Sequence, residues 1–430
     1  MGGMLETIRN AWKIPDLRKK MLFTILMLVI YRIGAHIPVP GLDADVFARL
    51  ASSGGQLFGY IDIISGGAFQ SASIFAMSIT PYINSSIIMQ LLTVAIPKLE
   101  QLAKEGEEGR KLIAQYTRYV AVALGFLQAT GLYFGLSSAI IGGRSVISYI
   151  TITLTFTAGT AFLMWLGEQI TESGVGNGIS LIIFAGIVSR GPRAAIIIAN
   201  YYTAGTLGKG FLGILAIIAL VALFIAVMAA VIWVNEAERR IPVQYAKRVV
   251  GRKVYGGQST HIPIKVNLAG VMPIIFAMSI TSLPSTLISF FAPNSTNPIV
   301  LWFKDIQQGI GFALINAVLI MFFTFFYTVI QFNPVEIANN MKKNGGFIPG
   351  IRPGRPTSDY ISKVLNRLTW FGGLFLALIT IFPTIFGAIF KIQGIWFGGT
   401  SLLILVGVAL DTVKQIESQM LMRHYKGFLE

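Results

Sequence analysis

Long uncharged runs alternate with short basic stretches along the whole chain. That alternation predicts ten membrane crossings, at 21–40, 73–96, 114–137, 149–170, 179–200, 211–234, 269–291, 309–332, 364–387 and 396–413. A helix needs about 20 residues to cross a bilayer core. Residues 73–96 carry no charge over 24 positions, yet Thr80, Asn84, Ser85 and Ser86 crowd around Pro81 in their midst. A proline removes a backbone donor, so such a helix persists only where protein or water covers that face. The six residues from Phe75 to Thr80 recur as Phe276 to Thr281, in another uncharged segment that contains Pro284. The two weakened helices read as the two sides of something that opens.

Ten crossings put both chain ends on one side of the membrane. The ends and the loops on that side, at 97–118, 234–268 and 331–367, hold 26 of the 34 Lys and Arg, and the other side holds 8. The positive-inside rule places the richer side in the cytoplasm. Ten divides as five plus five, and an odd number per half makes the halves run oppositely. The expected fold is an all-α polytopic membrane protein in two inverted halves, 1–200 and 201–430, around a central pathway.

Composition agrees: 54% of residues are hydrophobic and 12% charged, about half the charge of a soluble chain. The formal charge of +15 is therefore first a matter of topology. With no cysteine, disulfides, thiol redox and thiolate metal sites are excluded. His36, His261 and His424 lie far apart and read as ordinary loop or helix-end residues rather than metal ligands. The basic start followed by Met21–Tyr31 imitates a secretory signal peptide. No small-x-small site follows, and Arg32, Pro38 and Pro40 do, so it reads as an uncleaved first crossing.

Between the first two crossings, Phe58 to Phe69 is apolar but too short to span. Two readings stand, a re-entrant piece and a loop on the surface; Gly59, Gly66 and Gly67 permit either to turn closely. Gly174-Val-Gly-Asn-Gly178 follows no strand and fits neither phosphate-loop spacing, so it reads as a tight turn. Arg190-Gly-Pro-Arg193 interrupts the fifth crossing, and charges at that depth face protein or water. The basic loops 234–268 and 331–363 are longer than a connection requires. Lipid headgroups account for part of their charge, but their glycines, prolines and aromatics suggest docking of a large, negatively charged partner.

Three function classes compete. An ion- or solute-coupled secondary transporter needs relay charges at mid-membrane. Crossings two, six, seven and eight carry none, while Arg118, Glu168, Arg367 and Asp411 sit near segment ends. An enzyme needs a catalytic constellation, and the helices contain no nucleophile–base, paired-carboxylate or metal-ligand arrangement. A channel with an apolar constriction needs no charge in its wall. The channel fits best, with the transporter as the alternative; no catalytic residue, metal or cofactor is expected.

Five stretches then carry a resemblance. They are Ile79-Thr-Pro-Tyr-Ile-Asn-Ser-Ser-Ile-Ile-Met-Gln-Leu-Leu92, Gly167-Glu-Gln-Ile-Thr-Glu-Ser-Gly-Val-Gly-Asn-Gly178, Tyr245-Ala-Lys-Arg248, Gln258-Ser-Thr-His-Ile-Pro-Ile-Lys-Val-Asn267 and Phe347-Ile-Pro-Gly-Ile-Arg-Pro-Gly354. Together they resemble the SecY family, the large subunit of the bacterial protein-conducting channel. The resemblance implies ten helices, two inverted halves, an hourglass pore and a plug. It implies a pore ring of Ile79, Ile83, Ile179, Ile183, Ile275 and Ile404. The pairs spaced by four share a helix face, although the repeated hexapeptide would align Ile280, not Ile275, with Ile79. The implied plug is Gly59, Tyr60, Ile61, Asp62, Ile63, Ile64, Ser65, Gly66, Gly67, Ala68 and Phe69. The implied lateral gate carries Ser78, Thr80, Asn84, Gln128, Ser279 and Thr281, and Arg252, Lys253, Lys342, Lys343 and Arg352 are the implied partner contacts. The implied companions are SecE and SecG, the SecA ATPase, the ribosome, signal-bearing polypeptides and membrane lipid. The implied activity is passage of unfolded secretory chains across the cytoplasmic membrane and sideways release of hydrophobic segments.

Overall fold

A computed structural model describes residues 4–53, 62, 65–135, 137–204, 210–245, 248–250, 253–255, 259–291, 310–390 and 399–426. The helices, in order, are α1 (Met4–Lys13), α2 (Pro15–Gly34), α3 (Ala44–Ser53), α4 (Thr80–Ala95), α5 (Pro97–Lys104), α6 (Glu107–Gly135), α7 (Val146–Ser173), α8 (Gly178–Ser189) and α9 (Gly191–Thr203). After them come α10 (Phe211–Glu236), α11 (Met272–Phe291), α12 (Ile310–Gln331), α13 (Pro334–Lys343), α14 (Arg355–Phe390) and α15 (Gly399–Lys426). Six stretches, beginning at Val146, Gly178, Gly213, Gly311, Arg355 and Gly399, are long and apolar enough to cross a membrane. Helices α2, α4, α6 and α11 lie where the other four crossings are expected.

The second crossing differs from its expected form. Residues 74–79 are turns, Ser78 has φ +53, and the helix begins only at Thr80. Pro81 therefore occupies the first helical turn, where its missing N–H has no intrahelical partner to lose. It starts the helix instead of breaking it. The repeated hexapeptide is likewise no structural repeat, since Phe75–Ile79 lies in turns while Phe276–Thr281 lies inside α11. The turn segment is held by stacking of Phe75 on Phe162 at 5.9 Å and on Tyr31 at 6.2 Å. Glycine at 159 is needed for this, because a Cβ there would sit 2.0 Å from the Ile74 carbonyl oxygen.

Three apolar clusters order the membrane body. One joins Phe47, Phe69, Met77, Leu132, Tyr133 and Phe156 from the first part of the chain. A second, beside it, packs Tyr31, Phe75, Ile79, Leu163, Leu166, Ile182, Ile183 and Ile187 with Ile404 and Val408 of α15. The third packs Val231, Ile274, Phe276, Ile320, Phe323, Leu376 and Leu403 with Ile87 of α4. Thus α4 and α15 each contribute to clusters on both sides, and the boundary between the two sets of helices runs past them.

Both chain ends lie together, as ten crossings require. The Thr7 hydroxyl donates to Glu417 at 2.9 Å, and Ala11, Leu17, Val175 and Ile416 form one small cluster. At this end Gly174–Gly178 is a tight hairpin between α7 and α8. Asn177 caps α8 by accepting from the Ser180 N–H, and a Cβ at Gly178 would overlap the Gly167 carbonyl. The loop after α10 is an antiparallel ribbon of β1 (Glu238–Tyr245) and β4 (Ser259–Lys265), with β2 (Arg248–Val250) paired to β3 (Lys253–Tyr255). From the next loop, β5 (Gly346–Phe347) pairs with β1. Ile241, Val243, Ile264, Met341, Ile348, Ile361 and Leu365 pack beneath, so the two long basic loops form one platform.

Candidate functional site

Five of the six ring isoleucines meet closely. Ile79, Ile183 and Ile404 are buried in one cluster, at 0%, 4% and 3% exposure, and Ile83 and Ile179 pack against it half-buried. Ile79 is the N-cap of α4 and Ile83 sits one turn into it, Ile179 and Ile183 share a face of α8, and Ile404 projects from α15. Ile275 is half-buried on α11 and belongs to the neighbouring cluster. Ile83, Val271 and Leu405 pack against both clusters and bridge them. Ile280, which the repeated hexapeptide aligns with Ile79, is 40% exposed, whereas Ile275 is half-buried.

Next to this cluster lies the described part of the segment expected to form the plug, Asp62 and Ser65–Phe69; Gly59, Tyr60, Ile61, Ile63 and Ile64 lie outside the described residues. Ala68 joins the Ile79 cluster and Phe69 packs edge-on against Phe47 at 5.2 Å. Gly66 has φ +66, and a Cβ on it would stand 2.7 Å from the Gly186 Cα of α8, so only glycine fits this approach. Tyr31 and Arg32 donate to the Ser65 and Gly66 carbonyls at 3.0 and 2.9 Å. Arg190, at the break between α8 and α9, pairs with Asp62 at 2.6 Å. Sequence reading placed Arg190 against protein or water but gave no sign of its partner, 128 positions away (190 minus 62).

The expected seam runs between α4 and α6 on one side and α11 and α12 on the other, and α11 packs against both α4 and α6. Ser85, which read as a polar oddity, is a tie within one wall: its hydroxyl donates to the Thr117 carbonyl of α6 at 2.5 Å. Thr281 bonds within the opposite wall, donating to Asn316 at 3.2 Å. Among the described residues, the buried Ser78 and Thr80 hydroxyls and Asn84 Oδ1 have no hydrogen-bond partner. Gln128 and Ser279 are half-buried on α6 and α11.

Lys342, Lys343 and Arg352 are exposed on the platform, the two lysines in the last turn of α13. Lys253 begins β3, one strand of the small hairpin, and Arg252 lies outside the described residues. Among the described residues no group of three His, Cys, Asp or Glu could hold a metal ion.

Comparison with known proteins decides the family. The SecY family model matches residues 73–413. The chain belongs to the SecY family. It is 49% identical, over 99% of its own length and all of the relative's, to the protein translocase subunit SecY of Halalkalibacterium halodurans. Two solved structures share the SecY fold with it. One, described as "The structure of a protein conducting channel", matches at TM-score 0.64 and 18% identity over 96% of this chain and 97% of the other. The other, canine Sec61 from a ribosome–channel complex of the endoplasmic reticulum, matches at TM-score 0.57 and 17% identity over the same shares. This SecY-family chain is an all-α, multi-pass membrane protein and a subunit of a protein-conducting channel. Nothing in these likenesses favours a transporter.

Proposed function

We propose that unfolded polypeptide crosses at the isoleucine waist and that hydrophobic segments leave through the α4/α11 seam into lipid. The observation that carries this is the packing together of the aliphatic side chains of Ile79, Ile83, Ile183 and Ile404, drawn from both ends of the chain, with Ala68 of the segment 65–69 in the same cluster. Aliphatic side chains at a constriction exclude water and ions yet offer a passing chain no fixed hydrogen bond to break. Residues 59–69 serve as the plug. The domains are the halves 1–200 and 201–430, oppositely inserted, in a bacterial cytoplasmic membrane with both termini and the platform facing the cytoplasm; the charge sorting supports this orientation.

The platform meets the SecA ATPase or the ribosome through Arg252, Lys253, Lys342, Lys343 and Arg352, whose charge suits an acidic motor surface or rRNA phosphates. SecE and SecG complete the complex. The channel itself supplies no energy, and hydrolysis belongs to the partner.

The seam opens when a signal segment displaces its contacts. Buried polar atoms without partners disfavour the closed seam, by about 1–3 kcal/mol for an amide or hydroxyl. Asn84→Leu removes one such atom and should hold the seam shut more firmly. Secretion of a precursor with a weakly hydrophobic signal is expected to fall several-fold, with a strongly hydrophobic signal little affected. An equal loss for both signals, or none, would remove Asn84 from the gate.

A further inference from the structure

Of the eight Lys and Arg on the non-cytoplasmic side of the proposed topology, three bind one short stretch. Arg32 donates to the Gly66 carbonyl, Arg193 donates to the Gln70 side chain at 2.7 Å, and Arg190 pairs with Asp62. The stretch is closed by its own bonds. Asp62 Oδ1 accepts from the Gln70 N–H at 2.9 Å, the Asp62 carbonyl accepts from Gly67 N–H and the Ser65 hydroxyl, and Ser65 Oγ accepts from Phe69 N–H. Its two ends are therefore tied through one carboxylate, and its attachments to α2, α8 and α9 come from the walls. Among those attachments, only Asp62–Arg190 joins two formal charges.

We propose that the Asp62–Arg190 ion pair is the latch that keeps the plug seated, with Arg190 acting as a positioning residue for gating. The proposal rests on reading residues 59–69 as the plug. Asp62 is 1% exposed and Arg190 15%, and Arg190 follows the 12 residues of α8. At 1.5 Å per residue it lies about 18 Å along the crossing, within the thickness of a bilayer core of about 30 Å. Charges so placed need each other, because removing either leaves the other buried and uncompensated. Once the segment leaves, both charges regain water in the opened vestibule. The pair is thus strong while the pore is dry and costs little to break once it is wet. An apolar seal alone would lack that property. It also gives a reason for keeping arginines on the side where topology favours few.

The test is ion conductance of the purified, reconstituted channel complex without a translocating chain. Asp62→Asn and Arg190→Gln should each raise the resting leak at least about tenfold, as expected for an unpaired buried charge. The charge swap, Asp62→Arg with Arg190→Asp, should bring the leak back towards the parent level. Packing damage would instead add up in the swap, and a swap that leaks more than either single change overturns the latch. Deleting residues 62–70 separates the two levels of the argument. A tight deletion would overturn the plug reading itself, whereas a leaking deletion beside tight Asp62→Asn and Arg190→Gln overturns the latch alone.

Discussion

Asparagine in place of Ile83 or Ile404 should let the channel pass precursors whose signals are defective, with a gain of about thirtyfold or more. Ile404 is 3% exposed, and Ile83 bridges the two central clusters. Losing such an aliphatic contact costs about 2 kcal/mol or more, and an amide without a partner in its place adds about 1–3 kcal/mol. These costs fall on the closed waist, while in the open, wetted state the amide is solvated. The balance therefore shifts towards opening by at least about 2 kcal/mol, which is about thirtyfold at 1.4 kcal/mol per tenfold. A signal segment then needs to supply less of the opening energy. Secretion of a reporter with a crippled signal measures the effect directly. Changes at Val318 and Leu378, which are 69% and 59% exposed on α12 and α14, should leave it unaltered. Unchanged selectivity in Ile83→Asn and Ile404→Asn together would remove the ring from the account.

Arg352→Glu should nearly abolish motor-driven transport while leaving the fold intact. The side chain is exposed, and the backbone carbonyl of Arg352 accepts from the Thr357 hydroxyl at 2.9 Å. Exposed substitutions change stability by about 0.5 kcal/mol or less, so thermal unfolding of the complex should be unmoved. Reversing charge against an acidic or phosphate surface costs several kcal/mol, so ATP-driven translocation into vesicles should fall by about thirtyfold or more. Transport that persisted would leave the basic loop with topology as its only role. The platform gives this loop a fixed position. β5 pairs with β1, and Ile348 packs among Ile241, Val243 and Ile264, so Arg352 is presented from an ordered surface.

Topology was readable in the sequence because it depends on quantities that add along the chain. The even number of crossings expects both termini on one side, and the Thr7–Glu417 bond joins the first helix to the last. The Gly174–Gly178 turn was readable for a similar reason, since its Asn cap and glycines act locally. Pro81 was misplaced because hydropathy does not distinguish an apolar turn from an apolar helix. The conformation that makes the turn, φ +53 at Ser78, is one that serine rarely adopts. The same hexapeptide forms turns over its first five residues, 75–79, and helix throughout at 276–281, so tertiary packing decides its shape. The clustering of these isoleucines was expected only through the family resemblance, since each alone is ordinary membrane aliphatic. The Asp62–Arg190 partnership left no trace at all, because a pair so far apart in sequence has no periodicity to betray it.

The central claim is that polypeptide passes through the isoleucine waist, and the chain's lack of cysteine permits a direct test. Single cysteines at 79, 83, 183 and 404, with controls at 318 and 378, would be probed for crosslinking to a stalled translocating chain that carries a thiol-reactive group. Crosslinks at the four waist positions and none at the lipid-facing controls are the predicted result. Equal labelling of waist and controls, or labelling of the controls alone, would contradict a path through the centre of the molecule.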